Sequence, residues 1–319
     1  MPLFNNTPKK EKASSFSTDT DTGSFINAMD LDDNLDILYT NGTTHLARFS
    51  AIGFGSATRT NLTNPLLNNI TAIKVSPYTT GSSKVFAGTS NGTLIKVENA
   101  DTATQTVTDI SGSSFLGSVS SIEFGSNENN IFVTFHNFGV TSVWYTSDGG
   151  TSWNNKEGDL PDIPVKCILG NPVNNNEIII GTELGVWKTK NFNEASPNWT
   201  QSHDGMSNVP VTSFDLRTAD DTILASTYGR GMFSGQFAPE FPNDGDIHVY
   251  GQDEKMYLSG LPAGTTTVTY YNNSNEVVLT KNIMKGNTNI SIVTIPTGVY
   301  TIKFESGGVV VHEELFVKL

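Results

Sequence analysis

The 319-residue chain carries a single cysteine, Cys167, so it can form no internal disulfide and no zinc site with more than one thiolate ligand. Set between Lys166 and Ile168 in a strand-like run, this cysteine reads as a buried, inert thiol. Basic residues are scarce: Lys and Arg total 19 against 32 Asp and Glu. Arg48, Arg59, Arg217 and Arg230 are the only arginines. A formal charge of -13 repels phosphate backbones and anionic membranes, which removes nucleic acid from the expected partners. No run approaches the ~20 apolar residues of a transmembrane span, and the N-terminus lacks the apolar core of a signal peptide. Lys9, Lys10, Glu11 and Lys12 lead instead into a polar Ser/Thr/Asp run, which leaves two readings: a protein that stays inside the cell, or a piece of something longer.

Catalytic motifs are missing as well. His45, His136, His203, His248 and His312 are scattered without metal-ligand spacing, and neither a Gly-x-Ser-x-Gly elbow nor a phosphate loop occurs. No metal site and no cofactor is therefore expected. Only His136, near the end of a strand, has a case for function against that of an ordinary edge residue.

Charged residues make up only 16% and hydrophobic residues 36%, while Gly, Asn, Thr and Ser recur throughout. That balance suits short strands and tight turns and excludes a helical bundle. An alternating apolar segment returns five times, at Ile26–Leu31, Ile70–Val75, Val119–Phe124, Val165–Leu169 and Val211–Leu216. The spacing of roughly 45 residues is that of propeller blades. A second strand follows each one (Asp36–Tyr39, Lys84–Gly88, Asn130–Phe135, Glu177–Gly181, Thr222–Ser226). A third comes after a turn rich in Gly or Asn (Leu46–Phe49, Leu94–Val97, Ser142–Thr146, Val186–Thr189, Met232–Gln236). A four-stranded meander exposes two apolar faces and gains stability only by stacking on its neighbours. The expected fold is thus all-β: a β-propeller over residues 24–238, either complete at five blades or continued by more, after a polar segment at 1–23. A sandwich of several sheets is the rival.

One segment is specific. Thr146-Ser147-Asp148-Gly149-Gly150-Thr151-Ser152-Trp153 resembles the Asp-box, Ser/Thr-x-Asp-x-Gly-x-Thr/Ser-Trp, of sialidase-type and sortilin-type propellers with BNR repeats. Physically it is a folding device: Asp148 can accept hydrogen bonds inside a hairpin, Gly150 and its neighbour permit positive φ, and Ser152 and Trp153 close and anchor the turn. The segment from Trp187 to Trp199 is a degenerate copy that keeps the strand and the anchoring Trp. Thr227-Tyr228-Gly229-Arg230-Gly231 resembles a closing-blade turn of BNR-repeat and xyloglucanase-like propellers. Tyr228 and Arg230 are thereby candidates for binding a carboxylate or sugar hydroxyls at the channel mouth, against a bland reading in which Arg230 braces the ring.

Ala238–Gly245 is punctuated by Pro, Asn and Gly, and residues 239–245 read as a linker. Beyond it, strands at Asp246–Tyr250, Lys255–Ser259, Thr265–Tyr271, Glu276–Lys281, Thr288–Val293, Gly298–Glu305 and Val309–Lys318 predict a small antiparallel sandwich over 246–319. Its end, with Gly298, Tyr300, a Gly-Gly hairpin and Lys318, resembles the C-terminal sorting domain of proteins exported by the type IX secretion system of Bacteroidetes. Val249-Tyr250-Gly251-Gln252-Asp253 stands where that family usually carries Pro-Asn-Pro. The resemblance implies export to the cell surface or medium, the secretion machinery as a partner, and a chain that is a fragment or has a misplaced start. Without the resemblance, the final strand simply completes the sandwich.

For function, Asp30, Asp32, Asp33, Glu123, Asp159, Asp162, Asp215 and Asp220 are loop carboxylates that a glycosidase could use, but none stands in a distinctive motif. The reading is therefore a secreted or surface-attached propeller scaffold that binds polysaccharide or protein, with Tyr78, Phe138 and Tyr228 as candidate exposed aromatics. The alternatives are a xyloglucanase-like glycoside hydrolase fragment acting on plant-type glucans and a sortilin-like peptide receptor.

Overall fold

The computed structural model describes residues 27–52, 57–172, 174–202, 206, 208–217, 222–237, 245–252, 255–285 and 289–318. The chain divides into two compact units, Met1–Gln236 and Phe237–Leu319. All regular structure among the described residues is β.

Among the described residues the first unit holds five antiparallel sheets in series. Blade one holds β1 (Met29–Asp32), β2 (Ile37–Asn41), β3 (Leu46–Ser50) and β4 (Thr58–Leu62). Blade two holds β5 (Ile70–Val75), β6 (Val85–Thr89), β7 (Leu94–Glu98) and β8 (Thr106–Asp109). Blade three holds β9 (Val119–Phe124), β10 (Ile131–Phe135), β11 (Val143–Thr146) and β12 (Asn154–Asn155). Blade four holds β13 (Val165–Asn171), β14 (Asn174–Thr182), β15 (Gly185–Thr189) and β16 (Thr200–Gln201). Blade five has three strands among the described residues, β17 (Val211–Arg217), β18 (Thr222–Thr227) and β19 (Gly231–Gln236). The expected first strand at Ile26–Leu31 is found at Met29–Asp32; Ile26 lies outside the described residues.

Backbone bonds establish the repeat independently of the sequence. At the end of each second strand one N–H donates to the carbonyl just ahead of the same blade's first strand: Asn41 to Ala28, Ser90 to Asn69, His136 to Ser118, Glu183 to Pro164 and Tyr228 to Pro210. In blades two to five the second residue of the first strand, Thr71, Ser120, Lys166 or Thr212, is skipped by the pairing register, which makes it a bulge. The bulge turns the side chain out of the ladder. Thr71 Oγ1 then donates to Val119 O of the next blade at 2.7 Å, and Ser120 Oγ to Val165 O at 2.6 Å.

Each apolar cluster spans two blades. Tyr39, Leu46, Val85 and Ile95 join blades one and two; Phe86, Val119, Ile131 and Phe135 join two and three; Phe132, Val143, Ile168 and Ile180 join three and four. This shared burial is why single sheets of this kind are stable only when stacked, each buried aliphatic side chain contributing ~1.5–3 kcal/mol. Gly88 and Gly181 make room for the neighbour: a Cβ on either would overlap Val119 or Val211, the first residue of the next blade. Innermost strands pack in the order β1, β5, β9, β13, β17, and β17 makes no comparable packing against β1 among the described residues. The described blades therefore form an open arc of an all-β propeller.

The Asp148 hairpin links β11 to β12. Asp148 accepts from Ser152 N (2.9 Å), Ser152 Oγ (2.6 Å) and Thr146 Oγ1 (2.7 Å), and Gly149 and Gly150 have φ of 72° and 94°. Trp153 Nε1 reaches Ile110 O, just after β8, at 2.9 Å. Trp199 Nε1 makes the corresponding bond to Lys156 O, just after β12, at 3.1 Å. The Trp187–Trp199 segment thus makes the same bridge to the preceding blade without the Asp and Gly. Cys167 on β13 is buried, and burial pushes its thiol up to about 12.

In the second unit, β20 (His248–Gln252), β21 (Lys255–Ser259) and β24 (Asn289–Ser291) form one sheet. The strands β23 (Val277–Met284), β22 (Thr265–Tyr271), β25 (Gly298–Ser306) and β26 (Val309–Lys318) form the other, in that spatial order. Met256, Leu258, Val268, Tyr270, Ile302 and Phe304 make its core. Tyr300 is buried and donates to Pro296 O at 2.6 Å; Lys318 Nζ donates to Ile292 O and Ile295 O at 2.8 and 2.7 Å.

Candidate functional site

The first unit offers two distinct faces, set by strand direction. Where the first strand begins, the second-to-third-strand turns of all blades gather with the loops that lead from one blade to the next. Hydrogen bonds tie this rim together: Ser118 N donates to Asn137 Oδ1 at 2.6 Å and Gly139 N to Asp162 Oδ1 at 2.7 Å, while Glu183 Oε1 lies 3.0 Å from both His136 Nε2 and Lys166 Nζ. Burial would raise the Glu183 carboxyl, but His136 and Lys166 outweigh it and hold it below its usual value. Large apolar side chains stand out from this rim: Leu116, Phe138 (68% exposed), Leu184, Tyr228 (79%) and Met232. Arg230 is exposed beside Tyr228 in the β18–β19 turn.

At the opposite end, where first strands finish, lies a cavity of about 800 Å³. One residue from each of blades two to five reaches it from the same place in the repeat, Lys74, Glu123, Leu169 and Asp215, and Asp33, just after β1, joins them. Lys74 Nζ bonds Glu123 Oε2 at 2.8 Å. Burial alone would lower the Lys74 pKa, but Glu123, Asp30 and Asp215 together raise it. Asp30 itself is pushed up by burial, against the pull of Val75 N, which donates to its Oδ2 at 2.7 Å. Partly exposed rings of Tyr78, Tyr145 and Phe214 and the amides of Asn130, Asn175 and Asn193 complete the lining that matters for a ligand. Tyr145 is set by edge packing on Phe192, and Tyr78 by Phe124 and a hydrogen bond from its hydroxyl to Gly125 O.

These placements sort the residues expected from sequence. Glu123 and Asp215 do converge, on a lysine that sequence reasoning passed over, and Asp33 lines the same cavity. Asp30 acts on the same lysine without lining the cavity. Asp32 is structural, accepting from Asn34 N, Leu35 N and Ser83 Oγ, and Asp159 Oδ1 accepts from Trp199 N at 2.6 Å. Asp162 belongs to the turn rim, and Asp220 lies outside the described residues. The three candidate aromatics are divided: Tyr78 lines the cavity, whereas Phe138 and Tyr228 stand on the other face, so Tyr228 and Arg230 do not join the carboxylates. The signal that could have found Lys74 was the repeat itself, because Lys74, Glu123, Leu169 and Asp215 are each the fifth residue of a first strand. Among the described residues no group of three His, Cys, Asp or Glu is placed to hold a metal ion.

No family model matches the chain, and no curated protein matches it. Among solved structures it is similar to that of PorZ, described as an essential bacterial surface component of the type-IX secretion system of human oral-microbiomic Porphyromonas gingivalis. The identity is 10% and the TM-score 0.53, over 91% of this chain and 44% of that one. The chain thus spans under half the length of that protein. The β-propeller domain of Cps50 (Swd1) from Myceliophteria thermophila is similar at 8% identity and a TM-score of 0.49, over 92% of this chain and 96% of that one. No helix among the described residues is long and apolar enough to cross a membrane.

Proposed function

We propose that the chain is a cell-surface propeller scaffold of the type IX secretion context, which docks a protein partner on its turn rim and carries its sorting element in the second unit. The observation that carries the reading is the row of exposed apolar side chains, Leu116, Phe138, Leu184, Tyr228 and Met232, contributed by successive blades to one face. A catalytic mouth needs convergent polar groups there, whereas a docking surface needs apolar anchors rimmed by charge, as Glu183, Lys166 and Arg230 provide. Similarity to a surface component of the same secretion system and the resemblance of the Gly298-to-Lys318 segment to sorting domains support the cellular setting. Binding without turnover is the economical chemistry, since Glu123 is engaged by Lys74 instead of standing free toward the cavity.

The test places a photo-crosslinking residue at position 228 or 138 of the chain displayed on cells with a type IX system. A discrete protein adduct at both positions, abolished by Leu184→Ser together with Met232→Ser, supports docking. Absence of any adduct at both positions overturns it, and hydrolysis of xyloglucan or mixed-linkage glucan by the purified chain overturns the non-enzymatic reading.

A further inference from the structure

We propose that the cavity on the opposite face binds a carbohydrate that lacks uronate, sulfate or phosphate groups. Its size, about 800 Å³, falls within the ~300–1,000 Å³ of small-ligand pockets. A sugar ring presents a flat patch of C–H groups, bordered by hydroxyls that both donate and accept. The lining answers both features. Tyr78, Tyr145 and Phe214 offer partly exposed ring surface. The lining also holds Asn175 and Asn193, whose planar amides donate from nitrogen and accept at oxygen, so that one amide can meet two neighbouring hydroxyls, and Asn130, whose amide nitrogen donates to Ser126 Oγ at 3.0 Å. The two carboxylates Asp33 and Asp215 accept only, which suits hydroxyl donors.

Charge selects within the class. Lys74 is the one cation among the described lining residues, and Glu123 holds it at 2.8 Å. That pair is locally neutral, so Asp33 and Asp215 leave the charged end of the cavity negative, within a chain of net charge -13. An anionic sugar would meet repulsion with no cation free to offset it. Polar groups are interspersed with apolar ones such as Phe132, Leu169 and Ile178, which disfavours a wholly apolar peptide end: burying it there would leave amides and carboxylates unpaired. The site belongs to the face with the Asp148 hairpin and is separate from the turn rim, so it stands whether or not that rim docks a protein.

The experiment is isothermal titration of the full chain with neutral hexasaccharides of glucose, mannose and galactose, and with hexagalacturonate as the anionic counterpart. At least one neutral hexasaccharide should bind while hexagalacturonate does not. Asn193→Ala and Asn175→Ala, both at exposed positions, should each weaken binding about tenfold at unchanged melting temperature. Lys74→Ala, which removes the only lining cation, should leave hexagalacturonate excluded, and Tyr228→Ser on the far face should change nothing. Failure of all three neutral sugars to bind, equal binding of hexagalacturonate, or binding indifferent to both Asn substitutions overturns the proposal. None of these results bears on crosslinking at position 228, so the two readings fail separately.

Discussion

Asp148 shows how a solvent-facing carboxylate can be tied to the fold. Three short bonds, from the Ser152 hydroxyl, the Thr146 hydroxyl and the Ser152 backbone, hold its carboxyl well below the usual carboxylate range. A depressed folded-state value contributes stability that is present above the ordinary value of ~3.9 and lost as pH falls toward the folded one. Asp148→Asn should therefore lower the melting temperature at pH 6, and the gap to the unsubstituted chain should narrow steadily between pH 4 and pH 2. A gap constant across that window would show that the ionised form does not matter. Glu157 runs the other way. Burial outweighs the bonds its Oε2 accepts from Ser142 N and Val143 N and pushes it up to about 7. A raised value favours the folded state at low pH, and that contribution is lost as pH rises from ~4.5 through about 7. Glu157→Gln keeps an acceptor for both N–H groups and should melt a few degrees higher than the unsubstituted chain at pH 8. No difference at pH 8, or a lower melting point, would refute the assignment.

Among elements, the first strands show why so much of the fold could be read in the sequence. Val119, Val165 and Val211 are fully enclosed, so alternation survives wherever two blades meet. The outer strands β12 and β16, two residues each and exposed, leave no such trace. The bulge was invisible because Thr71, Ser120, Lys166 and Thr212 look like ordinary polar positions, and only the register shows that each is skipped by the ladder, with Thr71 and Ser120 bonding the next blade. The cavity was legible in part: Glu123 and Asp215 were singled out as carboxylates, whereas their company with Lys74 depends on sheets from different blades closing side by side. The bulge yields a paired prediction. Thr71→Val removes the donor to Val119 O and should cost about 1–3 kcal/mol in urea unfolding, the usual penalty for a stranded buried acceptor. Thr212 bonds only Ser226 O of its own blade, at 3.2 Å and exposed, so Thr212→Val should cost under about 0.5 kcal/mol. Equal costs would mean the bulge hydroxyls do not join blades.

For the first unit as a whole, the same logic reaches both ends of the arc. The bond from Asn41 N to Ala28 O places Met29 where the later blades have Ile70, Val119, Val165 and Val211. Those four are buried and Met29 is 57% exposed, as a position is when no described blade packs ahead of it. Met232, at the other end, is exposed too. Brief peroxide treatment followed by peptide mass analysis should oxidise Met29 and Met232 well before the buried Met206 and Met256. Protection of Met29 equal to that of Met256 would show that something covers the end of the arc in solution.

The second unit has its own core, so its stability can be probed inside the full chain, and this changes how the proposed sorting role of its last strands is tested. Deleting Gly298–Leu319 removes β25 and β26, half of a four-stranded sheet, and a loss of export would then report unfolding as readily as a lost address. Single residues separate the two. Lys318 donates to the carbonyls of Ile292 and Ile295, and removing a charged donor from two carbonyls costs on the order of 1.5–3 kcal/mol. Leu315 and Val317 point away from the core on the same strand and bury nothing there. Lys318→Met should thus lower the calorimetric transition of the second unit without shifting that of the first, whereas Leu315→Ser with Val317→Ser should leave both transitions in place. If the tail is an address read on its outer surface, the double substitution retains the protein in the periplasm although it is fully folded. Normal display of that folded variant would exclude these two side chains as the feature a receptor reads.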